Sequence, residues 1–307
     1  MAHYKVVGPQ GMRNAMFQHA LISTDFEDGL YRLGKVIPSF LDNGCTDITF
    51  FHNVPVEDDR SVPKVDEAGL ETSREWLENT LDDIPAGADV KVVVSCGRAS
   101  SNILQQIKQS ECDVVFLGMP TRNILSEKLF GSTTMRLVEQ TPVPMMILRP
   151  QLVSTFTTKE LSIRCRNLFR YLLIPYDGTQ GSDEFLDVLK ERIQSNPPPD
   201  DHQYWLLWVI DENIRQELQG DNPVEEAQSR LHQVAETLRA LHLKVETLVV
   251  EGYPLQEILR AADRYDIGAI AMSSRGIGGL LRWSVPSLTR EILRNSWHPV
   301  LYFPKAN

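Results

Sequence analysis

The residues best placed to do chemistry surround two glycines. Leu117-Gly118-Met119-Pro120-Thr121 ends an apolar run on a glycine, and after residues 122–130 the chain resumes with Gly131-Ser132-Thr133. A glycine, a loop and then small residues opening a helix can cradle a phosphate. The helix start offers free backbone N–H groups and the positive end of its dipole. Glycine lets an anion come close to the main chain. Ser132 and Thr133 add hydroxyl donors, although Ser132 serves equally well as a plain N-cap. Arg122 and Lys128 in the loop either neutralise phosphate charge or form a solvated face. Two further acids end apolar runs, Asp25 after His19-Ala20-Leu21-Ile22-Ser23-Thr24 and Asp177 after Tyr171–Tyr176. Such a carboxylate either faces a ligand or caps the turn that follows.

These residues need a scaffold, and the chain builds it twice. Apolar runs at His19–Asp25, Asp47–Val54, Val90–Ser95, Val114–Leu117 and Met145–Leu148 read as strands. Between them lie stripes of helical spacing: Leu30, Leu33, Ile37 and Leu41 with a kink at Pro38, then Leu70, Trp76, Leu77 and Leu81, then Ile103, Leu104 and Ile107. The same order returns after residue 170. Gly97 and Gly252, Ile103 and Ile258, and Ser132 and Ser287 each stand 155 positions apart, and Asp25 and Asp177 stand 152 apart. The boundaries implied are 15–150 and 168–305, with 149–167 as a linker. Continuous apolar strands alternating with helices predict a parallel sheet covered on both faces, and right-handed crossovers leave a doubly wound sheet of five strands in each copy. Ligands in such sheets bind beyond the carboxyl ends of the strands.

With those motifs in place, the chain resembles the universal stress protein family along nearly its whole length, twice. The family signature is Gly, two residues, Gly, nine residues, Gly, then Ser or Thr. Here it reads Gly118, two residues, Thr121, nine residues, Gly131, Ser132. The acid at Asp25, Val54 after the second strand, the turn at Gly97 and Thr141-Pro142-Val143-Pro144 before the last strand also match in order. The resemblance implies two Rossmann-like domains of the adenine nucleotide alpha hydrolase-like type. It implies that Asp25 lies near the ribose and base, that the Val54 backbone faces adenine, and that Gly118, Gly131, Ser132 and Thr133 hold phosphate. The ligand implied is ATP, ADP or AMP, with or without Mg. Thr121 departs from the pattern, because a β-branched residue resists positive φ.

The second copy departs further. It reads Ser273, two residues, Gly276, nine residues, Pro286, Ser287. Ser273 puts a side chain where the first glycine leaves room, and Pro286 has no N–H to offer. The expectation is an empty second site. Three readings of function follow: a nucleotide-binding regulator, an interaction module with both sites degraded, and a slow ATPase. No nucleophile–base pair, GxxxxGK[ST] loop or GxSxG elbow supports catalysis.

Composition narrows the partners. The formal net charge of -10 disfavours nucleic acid and acidic membranes. No run approaches the roughly 20 apolar residues of a membrane span, and the start carries no apolar core of signal-peptide length, so a cytoplasmic location is expected. Cys45, Cys96, Cys112 and Cys165 lack metal or CxxC spacing and read as reduced thiols. The seven histidines form no chelating pair. The resemblance, with Trp283 and Trp297, implies a homodimer and leaves any protein partner unnamed.

Overall fold

Strand and helix alternate through the chain as its apolar periodicity requires. The structure, a computed structural model, describes residues 2–5, 16–56, 66–81, 84–119, 132–198, 201–212, 222–273 and 287–304. Two units separate, one holding Phe17–Arg166 and the other Asn167–Asn307.

In the first unit β1 (Ala2–Lys5) and β2 (His19–Thr24) precede a 3₁₀ helix (Leu30–Val36) and α1 (Ile37–Asp42). There follow β3 (Asp47–Val54), α2 (Glu67–Glu78), β4 (Asp89–Cys96) and α3 (Ala99–Gln109). Then come β5 (Val114–Gly118), α4 (Ser132–Gln140) and β6 (Met145–Leu148). The strand order is β1-β4-β3-β2-β5-β6, parallel throughout except for β1, which runs antiparallel to β4. Among the described residues the added antiparallel edge strand has no counterpart in the second unit, and it has no apolar pattern to announce it.

The helix expected over Leu30–Leu41 is two pieces. Pro38 cannot donate to a preceding turn, so the α-helical part starts at Ile37 with Pro38 in its first turn, and the residues before it wind as 3₁₀ helix. Gly44, at φ 80°, ends the pair.

The expected linker is also helical. α5 (Pro150–Val153) and α6 (Thr158–Asn167) bury Leu152, Val153, Leu161 and Cys165. The Arg32 guanidinium donates to the carbonyls of Val153 and Thr155. Asn43 Nδ2 donates to the Cys165 carbonyl at 2.9 Å, and Arg166 pairs with Asp42 at 2.8 Å.

The second unit repeats the plan. Its elements are β7 (Tyr171–Pro175), α7 (Gln180–Ser195), β8 (Gln203–Asp211), α8 (Pro223–Arg239) and β9 (Lys244–Gly252). α9 (Pro254–Arg264), β10 (Ala269–Ser273), α10 (Ser287–Asn295) and β11 (Val300–Phe303) complete it. The order β11-β10-β7-β8-β9 is that of β6-β5-β2-β3-β4, all parallel. The register fixes the correspondence: His19 pairs with Asp47 and Tyr171 with Gln203, so Thr24 matches Tyr176 and His52 matches Trp208. Each core is a two-faced apolar layer, with Leu21, Ile22, Phe50 and Phe116 fully buried in one and Leu172, Leu173, Ile174 and Tyr204 in the other.

Candidate functional site: the strand-end crevice of the first domain

The turn leaving β2 builds the crevice floor. The Asp25 carboxylate accepts from the N–H groups of Glu27 at 3.0 Å and Asp28 at 2.9 Å, so this exposed acid caps its own turn. The cap holds Phe26 at φ 69°, a strained value for a non-glycine residue. That turns the Phe26 ring onto His52 of β3, with centroids 3.9 Å apart and planes 13° apart, while its other contact is Trp76 of α2 at 4.4 Å.

His52 Nδ1 donates to the Thr24 carbonyl at 2.9 Å. A carbonyl can only accept, so the proton sits on Nδ1 and Nε2 carries the lone pair. Burial pushes the imidazole pKa down, which keeps the ring neutral near pH 7.

Asp28 is the residue that sequence reasoning missed. Its carboxyl is 5% exposed and accepts from the Thr24 hydroxyl at 2.7 Å and from the Leu30 N–H at 2.8 Å. Burial raises its pKa to about 6; the Thr24 hydrogen bond opposes that shift and the neighbouring Asp25 charge adds to it. Near neutral pH this carboxyl exchanges a proton with little free-energy cost. Beyond it, Gly118 ends β5. A Cβ built on Gly118 would lie 2.4 Å from the Asp28 Cβ, so this glycine leaves room for a carboxyl. The readable signal was Thr24-Asp25-x-x-Asp28, two acids three apart after a strand. A cleft of about 360 Å³ opens beside Asp28, between Phe26–Arg32 on one wall and Pro150, Ser154 and Thr155 on the other.

Val54 ends β3, nearly buried. Its carbonyl accepts from the Gly97 N–H at 3.1 Å and from Asn53 Nδ2 at 3.3 Å. Asn102 of α3 braces this corner, donating to Asn53 Oδ1 at 2.7 Å and to the Cys96 carbonyl at 3.0 Å. Ser132 and Thr133 form the first turn of α4. Thr121 and Gly131, with Arg122 and Lys128, lie outside the described residues. The structure thus brings Asp25, Val54, Gly118 and the α4 start to one end of the sheet.

The second crevice is filled differently. Asp177 accepts from the Thr179 N–H at 3.1 Å, the Thr179 hydroxyl at 2.6 Å and the Ser182 hydroxyl. Gly178 takes φ 72° where the first domain has Phe26, and the large ring comes from the neighbouring strand instead. A Cβ on Gly178 would lie 2.4 Å from Trp208 Cη2. Where Thr24 binds Asp28, Tyr176 donates to Asp183 at 2.6 Å and accepts from Arg230 at 3.1 Å. The position matching Asp28 is Gln180, exposed and bonded to Glu184. Ser273, matching Gly118, is buried at the end of β10. Ser287 begins α10, while Gly276 and Pro286 lie outside the described residues.

Among the described residues no cluster of three or more His, Cys, Asp and Glu could hold a metal ion, and no helix is long and apolar enough to cross a membrane.

Comparison with known proteins adds to this geometry. The profile of the universal stress protein family matches residues 16–149 and again 169–304. A universal stress protein of Methanocaldococcus jannaschii, MJ0531, is 29% identical over 147 residues, covering 45% of this chain and 84% of its own length. The crystal structure of a universal stress protein from Archaeoglobus fulgidus superposes with a TM-score of 0.62 at 17% identity, covering 94% of this chain and 98% of that one. A functionally unknown protein from Pseudomonas aeruginosa superposes with a TM-score of 0.57 at 13% identity, covering 95% of each chain. At those identities the two structures carry the fold, and the profile carries the family. Matched twice and over most of its length, the chain belongs to the universal stress protein family as a tandem of two Rossmann-like domains.

Proposed function

We propose that the first domain binds an adenine nucleotide, ATP, ADP or AMP, in the crevice beyond β2, β3 and β5, and that the protein acts as a regulatory module and not as an enzyme. The observation that carries this reading is the asymmetry of the two crevices. The first offers a flat aromatic pair, Phe26 and His52, beside a buried carboxyl suited to a ribose hydroxyl. Its phosphate-binding signature keeps Gly118, Gly131 and Ser132. In the second crevice Trp208 lies over Gly178, no acid matches Asp28, and Pro286 replaces the last glycine. That domain is proposed to be empty of nucleotide. Mg, if it accompanies the nucleotide, would be held chiefly by phosphate oxygens.

The test is mass spectrometry of small molecules released by heat from purified protein, followed by calorimetry with ATP, ADP and AMP. One site per chain is expected, abolished by Gly131→Pro and unchanged by Pro286→Gly. Two equal sites, or none, would reject the reading; none would favour an interaction module with both sites degraded. Self-association as a homodimer in the cytoplasm belongs to the same proposal, with exposed Phe156 and Trp297 as candidate contacts, while Trp283 lies outside the described residues. Sedimentation at micromolar concentration tests it.

A further inference from the structure

A second cavity of about 310 Å³ opens in the first domain at the opposite end of its sheet, where β2, β3 and β4 begin under the end of α3. Its walls include His19, Asp47, Thr49, Lys91, Gln106 and Ser110. Asp47 and Thr49 lie two apart on one face of β3, about 7 Å along the strand, and Thr49 stands in register with Lys91 of β4.

Thr49 and Gln106 are each 6% exposed, yet no described group hydrogen-bonds the Thr49 hydroxyl or the Gln106 carboxamide. Neither is sealed in protein, because both side chains meet the cavity. A carboxamide and a hydroxyl taken this far from bulk water and left without protein partners are costly unless something in the cavity completes them.

The duplication supplies an internal control. By register and helix position, Thr49 corresponds to Trp205, Gln106 to Ala261 and Ser110 to Tyr265. Glu111 and Asp266, the next residues, share φ 49°, which secures the match at the helix end. In the second domain Trp205 and Tyr265 stack there, with centroids 5.9 Å apart and planes 27° apart, and Trp205 is only 9% exposed. The same place is plugged by two aromatic rings in one copy and left open and polar in the other.

We infer that this cavity in the first domain binds a small zwitterionic metabolite of the free amino-acid type. Its amine would face Asp47 and its carboxylate Lys91, with Thr49 and Gln106 satisfying the groups between. The charges favour this class. Asp47 brings a carboxylate that accepts from the Thr46 hydroxyl at 2.9 Å and stands 3.8 Å from His19 Nε2, and Glu111 adds negative charge at the rim. Lys91 brings the ammonium, braced by Asp89 at 2.8 Å. Among the described residues no Phe, Tyr or Trp lines the cavity, and His19 is its one ring. The volume sits at the small end of small-molecule sites. The site is separate from the nucleotide crevice, and neither proposal depends on the other.

The test is calorimetry and saturation-transfer NMR on the full chain with the twenty free L-amino acids, alongside glucose and spermidine. Saturable binding of at least one amino acid is expected. The variant Thr49→Trp/Gln106→Ala/Ser110→Tyr, which installs the filling of the second domain, should lose that binding with unchanged circular dichroism. If the triple variant does not fold, Gln106→Leu serves in its place and should weaken binding by about tenfold or more. Binding that survives these substitutions, binding of glucose or spermidine alone, or no amino acid bound at millimolar concentration would overturn the inference.

Discussion

The Asp28 carboxyl rests against the bare α-carbon of Gly118, so that β5 ends on glycine for the sake of an acid on another loop. A methyl group at residue 118 meets Asp28 backbone-near atoms that have no flexible end to swing away. Gly118→Ala should therefore cost about 1–3 kcal/mol, the usual penalty for overpacking. Asp28→Gly, which removes the Cβ that the methyl group meets, should take away most of that added cost when the two are combined. Urea denaturation of the four members of this cycle gives the coupling directly, and additive penalties would contradict the contact.

Asp28 also sets a pH dependence. Its pKa rises from 3.8 to about 6 on folding, so the unfolded chain releases this proton first. A raised folded pKa means that the contribution of Asp28 is fully present below pH 3.8 and is lost as pH rises through 6. The loss is about 3 kcal/mol at most for a shift of this size. Asp28→Asn keeps an acceptor for Thr24 and Leu30 without the charge. Its melting temperature relative to the parent should climb between about pH 4 and pH 7 and then level off. A constant difference across that range would show that Asp28 does not titrate as described.

The two crevices exchange a ring across strands, and the exchange can be tested as a unit. Gly178→Phe alone drives a side chain into Trp208 and should destabilise strongly. Adding Trp208→His reproduces the Phe26–His52 pair and should recover about half or more of the loss, since residues in contact couple. Guanidinium denaturation reads both variants. A double variant no better than the sum of its parts would mean that the two turns are not equivalent.

Thiol chemistry should single out one cysteine of four. Burial raises Cys112 and Cys165 to about 12 and Cys45 further still, while Cys96 is half-buried at the end of β4. Ellman's reagent on the native protein near pH 8 should titrate one thiol per chain quickly, and in denaturant all four. Loss of the fast phase in Cys96→Ser identifies it.

Much of this was legible because apolar periodicity and glycine spacing are local. The nearly constant offset seen from Gly97 to Gly252 announced the duplication, and each parallel strand lies on an apolar run. The expectation that Asp25 caps or contacts a ligand kept open the alternative that the structure displays, a carboxylate bonded to Glu27 and Asp28. What stayed hidden depends on non-local contact. Asp28 looks like any turn acid until β5 supplies Gly118 beside it. The Trp205–Tyr265 plug joins residues from β8 and the end of α9, sixty positions apart. The helices α5 and α6 escaped notice because serines and threonines masked the Leu161–Cys165 step of four.

Arg32 gives the tandem a practical seam. Because its guanidinium grips the Val153 and Thr155 carbonyls, and Asn43 and Asp42 hold α6, residues 150–166 are property of the first half. A gene fragment ending at Leu148, where the repeat itself stops, would strip Arg32 of its acceptors and bare the surface that Leu152, Val153 and Leu161 cover. The place to divide the halves is Asn167, some eighteen residues after the boundary that homology alone would choose.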